Sequence, residues 1–290
     1  QTKYVALLGD DELYAPHGLR DCISQLEADK RLVACVGRSM FFFNRDGEII
    51  GHRTYEKSQN LVHTFGSDID RLDESLVDIT RGPYLLYGLF NADQWKTAVR
   101  ISYGRKYASG YAYELSFHLI ATLLGPSTMV DSLVWMRSGE NPAMSSDAVN
   151  RKIGIGEWGT DPQFSDEVTY LIDVVVGAVA NEGRFAAEEL RNAVRRSVEG
   201  FVTYSLHKPK RPIAYWHRTL YFLARNTPTV LKQLLKRNMS TGLSKVLDYR
   251  GVPMSQAIKE MQKSGIALNE TEMQSIEKFL IHFHQKLTGN

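Results

Sequence analysis

The chain has 290 residues, a length that suits one large domain or two ordinary ones. Hydrophobic residues make up 43% of it, charged residues 23%, and the mean hydropathy is -0.28, which excludes disordered, collagen-like and multi-span membrane proteins. The net charge of +2 hides an asymmetry: residues 1–82 carry 14 acids against 10 Lys or Arg, whereas residues 191–250 carry 13 Lys or Arg against two acids.

The first 138 residues alternate strand-like and helix-like segments. Short apolar runs predict strands, and apolar residues at spacings of three and four predict helices. The predicted strands lie at residues 4–8, 32–36, 40–43, 48–51 and 128–136. One helix is predicted directly after Pro16, and two more are predicted at residues 92–101 and 113–124. This order indicates the α/β fold class, with a sheet that carries a hairpin across the turn at 44–47.

Behind Gly139 the composition changes. Residues 139–163 are rich in Gly, Ser, Asn, Asp and Pro, which is typical of a linker or long loop. Helical periodicity then dominates, so we expect residues 164–290 to form a basic, all-helical domain behind an α/β part at 1–138. Helices are predicted at residues 168–181, 186–206, 215–223, 229–235, 254–263 and 270–287.

Cysteine content and chain start bear on location. Cys22 and Cys35 lie in apolar patterns, which fits reduced, buried thiols better than a disulfide or a zinc site. No apolar run reaches the ~18–20 residues of a membrane span, and the segment after Gln1 lacks the features of a signal peptide. We therefore expect a cytoplasmic protein, and a position at the inner face of the membrane stays open.

Because position 1 is not Met and leads directly into an apolar strand, we also expect the chain to begin inside a longer fold.

Three consecutive acids follow the first predicted strand. Asp10, Asp11 and Glu12 crowd like charges at its carboxyl end, where a divalent cation would relieve their repulsion. Carboxylate oxygens favour Mg²⁺ or Mn²⁺, and the carboxyl ends of strands are where α/β sheets bind ligands. The alternative is a solvated turn that also caps the next helix.

The surroundings of these acids resemble a known family. The run from Tyr4 to Gly37, with an apolar strand, an acidic cluster, Pro16 and a helix, is similar to the metal-binding segment of GT-A-fold, family-2-like glycosyltransferases. The resemblance implies that Asp11, with Asp10 and Glu12 beside it, holds a divalent ion on the diphosphate of a nucleotide-sugar donor. Many members have an Asp at the position that Gly9 occupies here.

A second segment carries the same resemblance. Gly110 opens a run in which Glu114 precedes an apolar helix, Gly125, a strand and Arg137. By that match Glu114 resembles the catalytic base of inverting members, which removes the proton of the acceptor hydroxyl. His118, one helical turn further on, could orient Glu114, touch a phosphate or be an ordinary helix histidine. Arg137 could bind a donor phosphate or be a plain charge at a strand end.

The resemblance covers about residues 4–137. The family fold begins with a nucleotide-binding half of βα units, which this sequence lacks, so we expect that half to precede the chain in a longer enzyme or to be supplied separately. The resemblance further implies a glycan or lipid-linked acceptor.

The basic segment 191–250 mixes cations with aromatic residues and suits an anionic surface. Peripheral contact with a membrane and a merely solvated basic face both stay open. Because no nucleic-acid-binding signature accompanies these residues, we do not expect a nucleic-acid partner.

Three functional hypotheses follow. The first is a metal-dependent glycosyltransferase, and the second is a non-catalytic module of the same fold that docks on a membrane or protein through its basic helices. The third is a two-metal phosphoryl-transfer or nuclease site, which would need further acids. The acids available for it by composition, which we instead interpret as one exposed face, are Asp68, Asp70, Asp73, Glu74 and Asp78.

Overall fold

A computed structural model describes residues 2–45, 47–53, 67–79, 85–139, 153–179, 187–207 and 251–288. The strands are β1 (Tyr4–Ala6), β2 (Leu13–Tyr14), β3 (Ala34–Arg45), β4 (Glu48–Arg53), β5 (Leu89–Asn91), β6 (Ser127–Ser138) and β7 (Val252–Pro253). The helices are α1 (Pro16–Ala28), α2 (Asp68–Ile79), α3 (Ala92–Ser102), α4 (Gly110–Leu124), α5 (Ile155–Thr160), α6 (Ser165–Val179), α7 (Ala187–His207), α8 (Met254–Lys263) and α9 (Glu270–Thr288). Short 3₁₀ turns lie at Leu85–Tyr87 and Pro162–Phe164.

A mixed sheet joins all the strands of the described residues. Its long central strand β3 pairs antiparallel with β4 and β5 and parallel with β6. Strand β1 pairs antiparallel with β5, so β1, β3 and β6 run in the same direction. All three therefore point toward the edge at which α/β sheets bind ligands, although β1 already ends opposite Leu89, which pairs with Cys35 near the start of β3.

The predicted α/β class is confirmed at the level of a mixed sheet with helices packed on it. The strands predicted at 32–36 and 40–43 are parts of the single strand β3, and the predicted hairpin joins β3 to β4. In its turn Gly47 has a φ of +86°, and its N–H donates to the side-chain oxygen of Asn44 at 3.1 Å. The left-handed backbone explains why glycine occupies this position.

The main core lies between the sheet and helices α2, α4, α6 and α7. Helix α4 buries residues on most of its faces, and its Phe117 meets Phe90 of β5 edge-to-face at 5.4 Å. Four of the predicted C-terminal helices are confirmed as α6, α7, α8 and α9. Those predicted at 215–223 and 229–235 lie outside the described residues, as does most of the basic segment.

Contacts cross the predicted segment boundaries. Residues 140–152 of the predicted linker lie outside the described residues, but its second half contains α5, whose Trp158 is fully buried in the main core. Beyond residue 250 the chain returns to the sheet, because β7 pairs with β4 and α8 packs on β4. The segment 164–290 thus contributes a strand as well as helices.

Two predictions about single side chains have clear outcomes. Cys22 and Cys35 are buried free thiols, as expected. The interpretation of the acids after residue 67 as one exposed face is wrong for Asp68, which is 6% exposed and forms an ion pair with the buried Arg71. The guanidinium of Arg71 also donates to the Thr122 carbonyl oxygen at 3.0 Å, which ties α2 to α4.

Candidate functional site

The acidic loop, residues 9–12, follows the carboxyl end of β1. The Glu12 N–H donates to the Gly9 carbonyl oxygen at 3.3 Å, which closes the loop into a turn. Asp10 is exposed, whereas Asp11 and Glu12 are half-buried. The three acids therefore differ in their exposure to solvent.

Strand β2 positions Glu12 against β6. Leu13 pairs with Met136 and Tyr14 with Trp135, and the Ala15 N–H donates to the Val134 carbonyl oxygen at 2.9 Å. This pairing brings the end of the acidic loop beside the last residues of β6.

Glu12 is held by partners on both sides. Its Oε2 accepts hydrogen bonds from Trp135 Nε1 at 3.0 Å and from the Gly9 N–H at 3.2 Å, and its Oε1 lies 4.0 Å from Arg137 Nε. Burial raises the pKa of Glu12, against the opposing effects of these hydrogen bonds and of the Arg137 charge, while the negative charge of Asp11 adds to the increase. Glu12 therefore serves first to fix the loop to β6.

Gly9 is explained by the same contact. A Cβ at position 9 would lie 3.0 Å from Cδ and Oε2 of Glu12, closer than such atoms normally approach. The Glu12 carboxylate thus folds back into the space beside residue 9.

An aromatic pair lines the same region. The rings of Tyr87 and Trp135 stack with centroids 3.9 Å apart and planes 11° apart. The Tyr14 hydroxyl lies 2.7 Å from the Leu7 carbonyl oxygen and 3.0 Å from that of Tyr87, and burial raises the pKa of Tyr14, which keeps the donor protonated. The acidic loop is thereby joined to the 3₁₀ turn that precedes β5.

Glu114 lies in the first turns of α4. The other end of α4 leads through Gly125 and Pro126 into Ser127, which pairs with Ala34 at the start of β3. Glu114 is ten residues before the end of α4, so it lies ~15 Å along the helix from the point where the chain enters β6.

His118 and Arg137 differ in their surroundings. His118 is 4% exposed among core residues of α4, which favours the interpretation as a structural histidine. Arg137 is half-exposed beside Glu12, so its position fits either a charge that holds the loop or a contact to an anionic ligand.

Across the described residues, no three His, Cys, Asp or Glu side chains converge in a group that could hold a metal ion. The structure does bring Glu12 and Arg137 together. It also reveals Trp135, Tyr87 and Tyr14, which sequence reasoning missed. Residues two apart in a strand face the same side, so Trp135 could have been found from Arg137.

A cavity of about 270 Å³ lies elsewhere, between the α5 region, α6 and α7. Arg191, Arg195, Glu199 and Asp161 are among its lining residues, and none of the predicted site residues belongs to it. It is therefore separate from the acidic loop.

Within the described ranges, no helix is long and apolar enough to cross a membrane. Cytoplasmic location and contact with the inner face of the membrane stay predictions. No family model, curated protein or solved structure matches the chain.

Proposed function

We propose that this chain is the metal- and acceptor-binding part of a GT-A-like glycosyltransferase, which moves a sugar from a nucleotide-sugar donor to an acceptor hydroxyl. The observation that carries the proposal is the place of the acidic loop. It follows β1 and leads into β2, which pairs with the last residues of β6, and Arg137 near the carboxyl end of β6 lies beside it. Carboxylates and a cation near the carboxyl ends of strands suit a ligand that contains a metal-bound diphosphate.

The acids of the loop fit a hard divalent cation. Asp10 and Asp11 supply carboxylate oxygens next to the half-buried Glu12. Mg²⁺ and Mn²⁺ are commonly held by one or two carboxylates together with substrate phosphates, so a group of three protein ligands is not required. Asp10 and Asp11 would hold the ion, and Glu12 would set the shape of the loop.

The bound ion would neutralise charge on the leaving diphosphate. Arg137 would contact a phosphate oxygen from the same side of the loop, as a second positive charge. Glu114 would accept the proton of the acceptor hydroxyl. At the same time the acceptor oxygen would form a bond to the anomeric carbon, and the bond from that carbon to the donor's phosphate oxygen would break.

Isothermal titration calorimetry of the chain with UDP or GDP, in the presence and absence of Mn²⁺, tests the proposal. We expect binding heat that depends on Mn²⁺, because the metal-bound diphosphate is the part of the nucleotide that this chain would contact, and we expect that heat to disappear in Asp11→Asn. The matched control is Asp93→Asn, which removes an exposed carboxylate from α3 and should leave the heat unchanged.

The second candidate function is the non-catalytic module. The observation in its favour is that the described part of the chain contains no group of three metal-ligating side chains. A titration without Mn²⁺-dependent heat for either nucleotide would contradict the transferase and support this module.

A further inference from the structure

Helix α9 exposes two stacked aromatic rings. Phe279 and Phe283 are 55% and 47% exposed, and they lie one helical turn apart, so they share a face of the helix. Their rings stack with centroids 6.1 Å apart and planes 23° apart. Single exposed apolar residues are normal on a protein surface, whereas this pair forms one continuous apolar patch.

The opposite side of α9 is held in the core. Met273 and Leu280 are buried in a cluster that includes residues of β3, β4 and α8. At the start of the helix, the Glu272 carboxylate accepts the His17 N–H at 2.9 Å. A rotation of α9 that covered the aromatic rings would expose Met273 and Leu280 instead. The aromatic patch is therefore a fixed part of the folded surface.

Cations accompany the aromatic patch. Lys278, His282 and Lys286 are exposed, and Lys286 lies three residues after Phe283, on the same face of the helix. Within the described part of the chain, neither lysine takes part in an ion pair. The last acid of the helix, Glu277, is half-buried, and residues 278–290 contain no Asp or Glu. The patch therefore suits an anionic partner.

The area of the patch distinguishes between classes of partner. An aromatic side chain covers ~150–250 Å² when it is fully buried, and two rings that are about half exposed together offer about the same area. A stable protein interface takes ~800 Å² from each partner. In a two-fold dimer the same patch faces itself, so Lys278 and Lys286 would meet lysines of the second copy. The patch is thus too small for a protein interface, and its charge disfavours self-association.

An anionic lipid surface matches both the area and the charge. Aromatic rings on a helix that lies along a membrane enter the boundary between headgroups and acyl chains, and lysines beside them contact anionic headgroups. Lipids adapt to the shape of the protein, so neither a groove nor a large complementary area is needed.

We propose that the α9 surface, formed by Lys278, Phe279, Phe283 and Lys286, docks on a membrane that contains anionic lipids. Helix α9 lies along the membrane, with both rings at the boundary and both lysines among the headgroups. The contact is weak and reversible, because the apolar area is small. The α9 surface contains no residue of the basic segment 191–250, and the proposal does not depend on the proposed function.

Co-sedimentation of the chain with large unilamellar vesicles tests the α9 surface. The probes are vesicles of phosphatidylcholine alone and of phosphatidylcholine with about 30% phosphatidylserine. Each lysine near an anionic surface strengthens binding about 5-fold, so we expect the chain to bind the anionic vesicles about 30-fold more tightly than the neutral ones. The double substitution Lys278→Gln/Lys286→Gln should remove this preference, and high salt should weaken it.

The aromatic rings are tested by the double substitution Phe279→Gln/Phe283→Gln. We expect binding to the anionic vesicles to weaken about 10-fold or more, because the apolar area at the boundary is lost. Glutamine favours helices, and circular dichroism checks that the variant is folded. The matched control is Tyr111→Gln, which removes an exposed aromatic ring from α4 and should leave vesicle binding unchanged.

Three results would overturn the proposal. The first is no sedimentation of the wild-type chain with anionic vesicles, and the second is equal binding by wild type and the folded Phe279→Gln/Phe283→Gln variant. The third is a lipid-free dimer in analytical ultracentrifugation that this variant abolishes, which would make a second copy the occupant. Mn²⁺-dependent nucleotide heat is a separate measurement, and neither α9 variant should change it.

Discussion

The indole nitrogen of Trp135 donates a hydrogen bond to the Glu12 carboxylate across 3.0 Å and 123 positions of sequence. This single bond attaches the loop after the first strand to the end of β6. It also holds the Glu12 carboxylate against β6, whereas Asp10 is exposed.

Trp135→Phe should loosen the acidic loop. The substitution keeps an aromatic ring for the stack on Tyr87 but removes the donor, and the half-buried Glu12 carboxylate loses a hydrogen bond. A hydrogen bond to a charged group contributes ~1.5–3 kcal/mol, so we expect the free energy of unfolding in urea to fall by about that amount.

Trp95→Phe is the matched control for that change. Trp95 Nε1 is buried without a hydrogen-bond partner among the described residues, so its removal costs packing only. Equal losses of stability in Trp95→Phe and Trp135→Phe would contradict the role given to the bond between Trp135 and Glu12.

Two other glutamates should affect the pH dependence of stability in opposite directions. Burial, followed by the charge of Glu48, raises the pKa of Glu277 above its usual value of 4.5. Hydrogen bonds from Lys3 and Lys30 lower the pKa of Glu27 to about 2. A raised carboxyl pKa means that the folded state holds the proton more tightly, so stability falls as the pH rises above 4.5. A lowered pKa gives stability that is present above 4.5 and is lost as the pH falls toward about 2.

We therefore expect Glu277→Gln to gain stability relative to wild type as the pH rises above about 4.5, and Glu27→Gln to lose stability relative to wild type as the pH rises from about 2 to about 4.5. Urea unfolding from about pH 2 to about pH 7 measures both. Because Glu27 is exposed, its effect should shrink at high salt. Shifts of the same sign in the two variants would contradict the assignment.

The buried ion pair of Asp68 and Arg71 should be essential for stability. Asp68→Asn leaves the Arg71 guanidinium in the core without its charged partner, and such a loss costs ~3–5 kcal/mol. The exposed pair of Asp93 and Lys96 is the control, and Asp93→Asn should change the free energy of unfolding by at most ~1 kcal/mol. A small effect of Asp68→Asn would mean that water reaches the pair.

Two glycines in helices should respond in opposite ways to alanine. A Cβ on Gly18 of α1 would lie 2.0 Å from the Leu133 carbonyl oxygen in β6, so Gly18→Ala must push α1 away from the sheet. Overpacking of this kind costs ~1–3 kcal/mol or more. Gly177 of α6 has nothing within 4 Å of its Cβ position, and Gly177→Ala should stabilise the helix by up to ~1 kcal/mol. Thermal unfolding of both variants measures the contrast.

Local patterns in the sequence predict local structure well. Helix α8 begins and ends at the predicted residues, because its apolar spacing is complete within the segment itself. Strands β2 and β7 have only two residues each and show no periodicity. They exist because a distant strand pairs with them, so composition alone could not predict them.

In the candidate site, too, local features can be predicted from the sequence, whereas features that depend on distant residues cannot. The acids after a buried strand are visible in the sequence, but the inward turn of Glu12 depends on Trp135, which is distant in sequence. Likewise, the polar sequence of α2 suggests an exposed face at Asp68. The structure buries Asp68 because it pairs with Arg71, which in turn is bonded to α4. The spacing of three residues between the two charges was the one local signal.

The return of the chain to the sheet also constrains when the acidic loop can reach its final form. The Ala267 N–H donates to the Asp131 carbonyl oxygen of β6 at 2.7 Å, and the His17 N–H at the start of α1 donates to Glu272, 255 positions away, at 2.9 Å. During synthesis the loop leaves the ribosome long before these partners exist. Contacts of such long sequence separation slow folding, so the nascent loop and its exposed strands depend on a late closing step.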